Sequence, residues 1–475
     1  MGRFSILEHN PRFPSLFLFF PPVKYIKNKF GPCFSFLMAA LMVIFDLFCS
    51  MGFLKAGLMK LSGGLVLISG LVYCSCQTMA TPPQKGNSNN LRPMDSAEVN
   101  KYHEALAWFF DSLLNSRGFS GGILVAKNGT VLYEHYQGDA QGKGELPIDS
   151  HTPFHVASTS KTFTSTAILQ LESNGLLKLD DTLSKYWPSF PYADVTILNL
   201  LNHSSGIPDY ANFLPRYGWN KKETATNYDV LDFIQKFAPA KDFSTGSRFK
   251  YCNTNFVLLA LIVEKVTGLT FPYYVKENIF DVAGMKDSYI LTALNKGDYM
   301  PSWNASGRIY NFEFLDGLYG DKNVFTTCRD LLKYDSAIRF GVLLPSLSYS
   351  RAWQPYFKDP KHDEPWEYYG LGWRLKLFEN DLMIPYHNGW WHGNNSVFQR
   401  LVADTAVIIV TGNRMNNKIY ASAKAANLFR MYYPDNIFKG AGEEETGEAV
   451  NEQDSVIANR PNNQEGVAGP VPGKL

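Results

Sequence analysis

The chain carries little charge of either sign. Charged residues make up 19% of its 475 positions, and 45 Lys and Arg against 44 Asp and Glu leave a net charge of +1. No run of six like charges occurs. Binding to phosphate backbones requires a basic excess, so nucleic acid is excluded as a partner. Cysteine is scarce as well. Four of the six lie in the first 76 residues, and only Cys252 and Cys328 fall in the remainder. A disulfide scaffold is thereby excluded, and two buried thiols are expected instead. The histidines form no tight metal pattern and His-Glu-x-x-His is absent, so no metal site is expected. Internal repeats are lacking too. What is abundant is apolar and aromatic: 45% hydrophobic and 15% aromatic residues, enough for a large core and a cleft or core rich in Tyr and Phe.

The N-terminal region differs from the rest. Residues 34–48 are apolar around Asp46, and 61–73 form a second apolar run of 13. Lys55 and Lys60 precede that run, and Tyr73-Cys74-Ser75-Cys76 follows it. A basic start, a short apolar stretch and a small-residue end describe a secretory signal, too short for a comfortable membrane span. The ending resembles a bacterial lipobox, with Ser75 as the small residue before a lipidated Cys76. A plain signal or an uncleaved anchor is the competing reading. Export across the inner membrane and a lipid or signal anchor at the cell envelope are therefore expected. Met51 or Met59 is a candidate true start; if Met1 is real, residues 34–48 become a candidate additional membrane segment. Residues 77–94, rich in Pro, Asn, Ser and Thr, read as a linker; 95–435 read as the catalytic domain; the polar, Glu-rich residues 436–475 read as a disordered tail.

Within the domain, Asp95 and Glu98 mark a helix start, followed by Tyr102, Leu106, Phe109, Phe110 and Leu113 at helical spacing. Asn128-Gly129 between two apolar runs predicts a hairpin. Ser396–Leu401 and Ala406–Thr411 are β-rich, whereas 155–335 is mostly helical. Strands from both ends can thus form one antiparallel sheet around a helical insertion.

The chemistry centres on Ser158-Thr159-Ser160-Lys161. Phe163, Ala167 and Leu171 place a helix here, closed by Gly175. Residues i and i+3 are neighbours on a helix, so the Lys161 amine falls beside the Ser158 hydroxyl. A helix N-terminus favours developing negative charge, and an amine in a dry site loses its proton and can act as a base. Alone, Ser-x-x-Lys is weak: Ser247-Arg-Phe-Lys250 also matches. A formal Gly-x-Ser-x-Gly at Gly118–Gly122 has the helix and strand in the wrong order for a nucleophile elbow, which leaves Ser120 as a loop residue.

Context singles out the first match. Downstream lie Tyr251-Cys252-Asn253 and His387-Asn388-Gly389, with His203-Ser-Ser-Gly206 and Tyr369-Gly-Leu-Gly-Trp373 between. In this order, over roughly residues 120–415, the motifs resemble the serine β-lactamase and DD-peptidase superfamily, in its class C-related branch. The resemblance implies an α+β, β-lactamase/transpeptidase-like fold: an antiparallel sheet flanked by helices, with a mainly helical second subdomain. It implies a serine hydrolase in which Ser158 is acylated, Lys161 and Tyr251 move its proton, and Asn253 binds the substrate amide and steadies Lys161. The oxyanion hole would combine the backbone N–H groups of Ser158 and Trp390. Gly389 would let substrate approach the strand, and His387 would face a substrate carboxylate. No metal or organic cofactor is implied. The substrate would be a small molecule or peptide, an ester or amide, with D-amino-acid peptides and β-lactams as candidates. The competing reading is a catalytically silent lipoprotein that binds peptidoglycan or a partner. Residue by residue, Tyr251 could be a core tyrosine, Asn253 a helix cap, and Trp390 and Trp391 cleft wall or plain packing. His203 and Asp321 read as turn and loop residues. The sequence departs from the lactamase pattern at His387, where Lys is usual. Neutral imidazole attracts a carboxylate less than a permanent cation does, which disfavours potent β-lactam hydrolysis.

Overall fold

The computed structural model describes residues 91–433 apart from 116–117, 142–143, 145, 296–298, 361–366 and 379–381. The signal region 1–76 with Cys76, most of the linker and the tail 436–475 lie outside the described residues.

Helix α1 (Ser96–Phe110) begins where Asp95 accepts a hydrogen bond from the Glu98 amide at 2.7 Å, relieving one of the helix's unpaired N–H groups. Its stripe buries Leu106 and Phe110 against one face of a sheet of eight antiparallel strands. The sheet order is β2 (Thr130–Gln137), β1 (Gly121–Lys127), β11 (Ala406–Gly412), β10 (Asn394–Leu401), β9 (Met383–Trp391), β8 (Arg374–Leu377), β7 (Glu367–Tyr369) and β6 (Phe357–Lys358). Strands β1 (Gly121–Lys127) and β2 (Thr130–Gln137) form the hairpin expected at Asn128-Gly129, where both residues adopt positive φ, +52° and +77°. The C-terminal strands β9 (Met383–Trp391), β10 (Asn394–Leu401) and β11 (Ala406–Gly412) return to pair with β1, so the two ends of the domain share one sheet. Strands β6 (Phe357–Lys358), β7 (Glu367–Tyr369) and β8 (Arg374–Leu377) complete it; two to four residues each, they carry too few alternations to be read from sequence.

Because side chains alternate along a strand, the sheet buries both faces. Ile123 and Val125 face α1 and the C-terminal helical turn, whereas Leu124 and Ala126 face the helical insertion. That insertion is built on helices α2 (Ser160–Ser173) and α3 (Thr254–Thr267). Phe163, Ala167 and Leu171 of α2 are fully buried, as expected, and α3 is buried on every side from Thr254 to Glu264. A small sheet, β3 (Phe154–His155), β5 (Val324–Thr326) and β4 (Tyr289–Ile290), joins the layers just ahead of Ser158. Cys252 and Cys328 are both free and buried.

Candidate active site

Ser158 does not start the α-helix itself. It sits in a 3-10 turn, Ala157–Thr159, immediately before α2. Lys161 follows as the second residue of α2, three positions on, and its amine reaches the Ser158 hydroxyl. Ala157 takes a left-handed φ of +47°, a conformation that a non-glycine residue adopts only when its surroundings impose it. Those surroundings are the sheet. Ser396 Oγ donates to the Val156 carbonyl at 2.8 Å, Thr159 Oγ1 donates to the His387 carbonyl at 3.2 Å, and the Val156 amide donates to Val324. The nucleophile turn is thus fastened to β9, β10 and β5.

Lys161 is completely buried. Its Nζ lies 3.1 Å from Ser158 Oγ, 2.9 Å from Asn253 Oδ1 and 2.9 Å from the Asp321 carbonyl. Burial disfavours the ammonium and lowers its pKa to about 7, with Asp321 opposing and Lys322 assisting that shift. A neutral amine has two N–H bonds and one lone pair. The carbonyl oxygens of Asn253 and Asp321 accept the two hydrogens, and the lone pair is left for the Ser158 O–H.

Asn253 occupies the N-cap position of α3, yet its side chain makes no cap bond. The side-chain oxygen goes to Lys161 instead, which removes the helix-cap reading. The backbone N–H of Asn253 donates to Asp209 Oδ2 at 2.8 Å. Tyr251 lies with its ring 4.8 Å from Lys161 Nζ, so the three residues of the two motifs meet around one amine. His203 holds this segment from behind. It takes a left-handed φ of +58° and is wholly buried. Its Nδ1 accepts from the Cys252 amide and from Asn255 Nδ2, both at 3.2 Å, while its carbonyl accepts from Lys250. Two donors at Nδ1 assign the proton to Nε2. The His203 ring lies 4.4 Å from that of Tyr251, tilted by 36°, and its pKa is pushed well below the usual value by burial and by the nearby Lys161.

On β9 the alternation places His387, Gly389 and Trp391 toward α2 and turns Trp390 to the other face. Trp390 can then serve the site only through its backbone. Trp391 is fixed wall: its Nε1 donates to Asp316 at 2.6 Å and its ring covers Lys322 Nζ at 4.7 Å. His387 is buried, with Nε2 3.2 Å from the Tyr369 hydroxyl and Nδ1 2.7 Å from the Asn388 carbonyl. A permanent cation in this corner is Arg374. It pairs with buried Asp359 at 2.7 Å, and its guanidinium lies 5.3 Å from the Tyr251 ring and 5.9 Å from the Tyr369 ring. No motif flags an arginine that opens a four-residue strand.

Other matches fall elsewhere. Lys250 of the second Ser-x-x-Lys is exposed and pairs with Asp242, and Ser120 is a loop residue donating to Asn413. Glu313, Asp316 and His392 bring possible ligand atoms within 4.8 Å of one another, a grouping not anticipated from sequence. The Asp316 oxygens are, however, taken by Trp391 Nε1, the Glu313 amide and His392. That arrangement reads as a hydrogen-bonded turn.

An antiparallel sheet, a helical insertion, and a serine beside a buried lysine at their junction together define the penicillin-recognising class of serine hydrolases. The beta-lactamase family model matches residues 106–428, and the chain belongs to that family. It is similar to penicillin-binding protein 4* of Bacillus subtilis, 29% identical over 335 residues that cover 67% of this chain and 73% of that protein. A D-aminopeptidase of Brucella anthropi is 28% identical over 283 residues, 58% of this chain and about half (49%) of that protein. Among solved structures, a penicillin-binding protein from Bacillus halodurans superposes with a TM-score of 0.58 at 26% identity, covering 68% of this chain and 98% of that one.

Proposed function

We propose that the protein hydrolyses an amide or ester through an acyl-enzyme on Ser158, and that its substrates carry a carboxylate beside the scissile bond, as D-amino-acid peptides do. The observation that carries this reading is the set of contacts around Lys161: a buried amine whose two N–H bonds have acceptors and whose lone pair faces the Ser158 hydroxyl. The Ser158 proton passes to Lys161 as Oγ attacks the substrate carbonyl. The resulting oxyanion is held by the backbone N–H groups of Ser158 and Trp390. Tyr251 delivers a proton to the departing amine or alkoxide and takes its replacement from the Lys161 ammonium; a water then gives a proton to Lys161 as its oxygen attacks the acyl carbonyl, and that proton returns to Ser158 Oγ as the acyl–oxygen bond breaks and the acid leaves. Asn253 binds the substrate amide while keeping Lys161 in place.

The carboxylate preference is supported by Arg374, a buried cation against the Tyr251 ring. Relatives named for penicillin binding and D-aminopeptidase activity agree with such a substrate. Export and anchoring through Cys76 complete the proposal, since a cell-wall peptide is met outside the inner membrane. The deciding experiment is gel labelling of wild type and Ser158→Ala with a fluorophosphonate and with a fluorescent penicillin. Labelling by both, lost in the variant, supports the reading. A fluorophosphonate signal alone points to an esterase, and no labelling at all points to an inert binder.

A further inference from the structure

Asp321 touches Lys161 through its backbone carbonyl, but it also brings a carboxylate that is 1% exposed. A lone buried carboxylate this close would hold Lys161 as an ammonium, and an ammonium has no lone pair with which to take a proton. The structure handles that charge specifically. Tyr210 donates its hydroxyl hydrogen to Asp321 Oδ2 at 2.7 Å, and Lys322 Nζ donates to the Tyr210 hydroxyl at 2.7 Å while lying 3.5 Å from Asp321 Oδ2. Lys322 is itself 3% exposed, a costly place for a long cationic side chain unless its charge is used. Its remaining sides are covered by the rings of Tyr210 and Trp391, at 5.0 and 4.7 Å.

We propose that Lys322, through Tyr210 and Asp321, is a charge-balancing positioning residue whose ammonium offsets the Asp321 carboxylate and so leaves Lys161 able to act as a neutral base. The inference rests on the reading of Lys161 as the base. The other groups around Lys161 are balanced in the same manner. Asp209, from the loop before Tyr210, spends its carboxylate on the Asn253 and Ala211 amides, and Arg374 arrives from β8 paired with Asp359. The Tyr251 and His387 rings complete the surroundings, and His203 is kept neutral by burial. Asp209 and Asp321 thus favour the Lys161 ammonium, Lys322 and Arg374 oppose it, and Arg374 is itself offset by Asp359. Removing one cation tips the balance toward the ammonium. Asp321 pushes the pKa of Lys161 up and Lys322 pushes it down, in keeping with that arrangement.

The test is the pH profile of Ser158 acylation by a fluorophosphonate, followed by intact-protein mass on the full chain. Wild type should show an acid limb near pH 7. In Lys322→Met the limb should move to higher pH by about one unit, because the uncompensated carboxylate favours the ammonium. In Asp321→Asn, which keeps the backbone contact, it should move to lower pH. The double variant Asp321→Asn/Lys322→Met should return near the wild-type position. A purely structural role for Lys322 would lower the rate at all pH values and leave the limb in place, and that outcome overturns the proposal. Should Lys322→Met fail to fold, Asp321→Asn decides: a limb that does not move to lower pH overturns it. A wild type with no acid limb defeats the reading of Lys161 as base and the proposal with it. A wild-type limb that no variant shifts defeats the proposal alone.

Discussion

Gly389 on the edge of the site is pressed against the carbonyl of Val156. A Cβ at position 389 would stand 2.1 Å from that oxygen and 2.5 Å from Ser396 Oγ. The sequence suggested that this glycine makes room for substrate; in the structure it also makes room for the protein's own nucleophile turn. Gly389→Ala should therefore push β9 away from Ser158. A displacement of about 1 Å costs on the order of 100-fold in rate, and overpacking costs about 1–3 kcal/mol in stability. Acylation rate and thermal midpoint measured together check both, and a wild-type rate in the variant would show that the strand spacing does not matter.

His203 supplies a second test of positioning. Its left-handed backbone and its Nδ1 acceptor are both features that asparagine can reproduce, since Asn tolerates positive φ and can place its Oδ1 near the Nδ1 position. His203→Asn should keep much of kcat, whereas His203→Leu should lose it by releasing the Cys252 amide and with it Tyr251 and Asn253. Equal activity of the two variants would mean that the acceptor is not what counts.

The pH dependence follows from Lys161. Its pKa lies near 7, far below the ordinary 10.5, because burial penalises the ammonium. The neutral form is the base, so kcat/KM on a small ester should vary in inverse proportion to proton activity below about pH 7 and level off above it. Stability carries the same sign. Between pH 7 and 10.5 the unfolded chain binds a proton at this lysine that the folded chain has released, so stability rises with pH across that window. Lys161→Met removes this dependence, and its thermal midpoint should compare best with wild type below pH 7. A midpoint difference that does not vary between pH 6 and 10 would count against a depressed pKa.

Much of this was readable from residue order. Helix α1, the Asn128-Gly129 hairpin, the paired C-terminal strands and the closure at Gly175 each have a local cause: a cap, two positive-φ residues, alternation, a left-handed glycine. The pairing of Ser158 with Lys161 follows from three-residue spacing. What was not readable depends on contacts far apart in sequence. Arg374 and Lys322 carry no motif, and their placement is set by Asp359, Tyr210 and Trp391, which the fold delivers from separate segments. His203 could have been found through its place in the His-Ser-Ser-Gly turn, but its partner Cys252 lies 49 residues on. Strands of two or three residues, such as β3 and β4, offer no periodicity at all.

The N-terminal expectation has its own measurement. The apolar run 61–73 ending in Ser75-Cys76 predicts a mature chain that begins at a lipidated Cys76. Mass spectrometry of the native N-terminus should find a diacylglyceryl cysteine there. Cys76→Ser should release the protein from the membrane fraction or leave it uncleaved. An unmodified N-terminus at another residue rules the anchor out.

The last prediction concerns which residue reads the substrate's charge. The sequence pointed to His387, but that ring is buried between the Tyr369 hydroxyl and the Asn388 carbonyl, whereas the Arg374 guanidinium stands against Tyr251. A charge-assisted hydrogen bond contributes about 1.5–3 kcal/mol against about 1 for a neutral one. Since about 1.4 kcal/mol is a factor of ten, losing the charge should cost roughly tenfold in kcat/KM. Arg374→Gln is therefore expected to slow a D-alanyl peptide or a penicillin by about that factor relative to a neutral p-nitrophenyl ester. Asp359 would lose its Arg374 partner in this variant, so Arg374→Gln/Asp359→Asn serves as the folded control and should show the same ratio. His387→Lys provides the opposing arm: were position 387 to face the carboxylate, the new ammonium would raise the ratio. An altered ratio in the Arg374 variants with an unaltered one in His387→Lys assigns carboxylate recognition to Arg374. The reverse pattern returns it to His387, and no change in any variant favours an esterase whose substrates carry no carboxylate at that position.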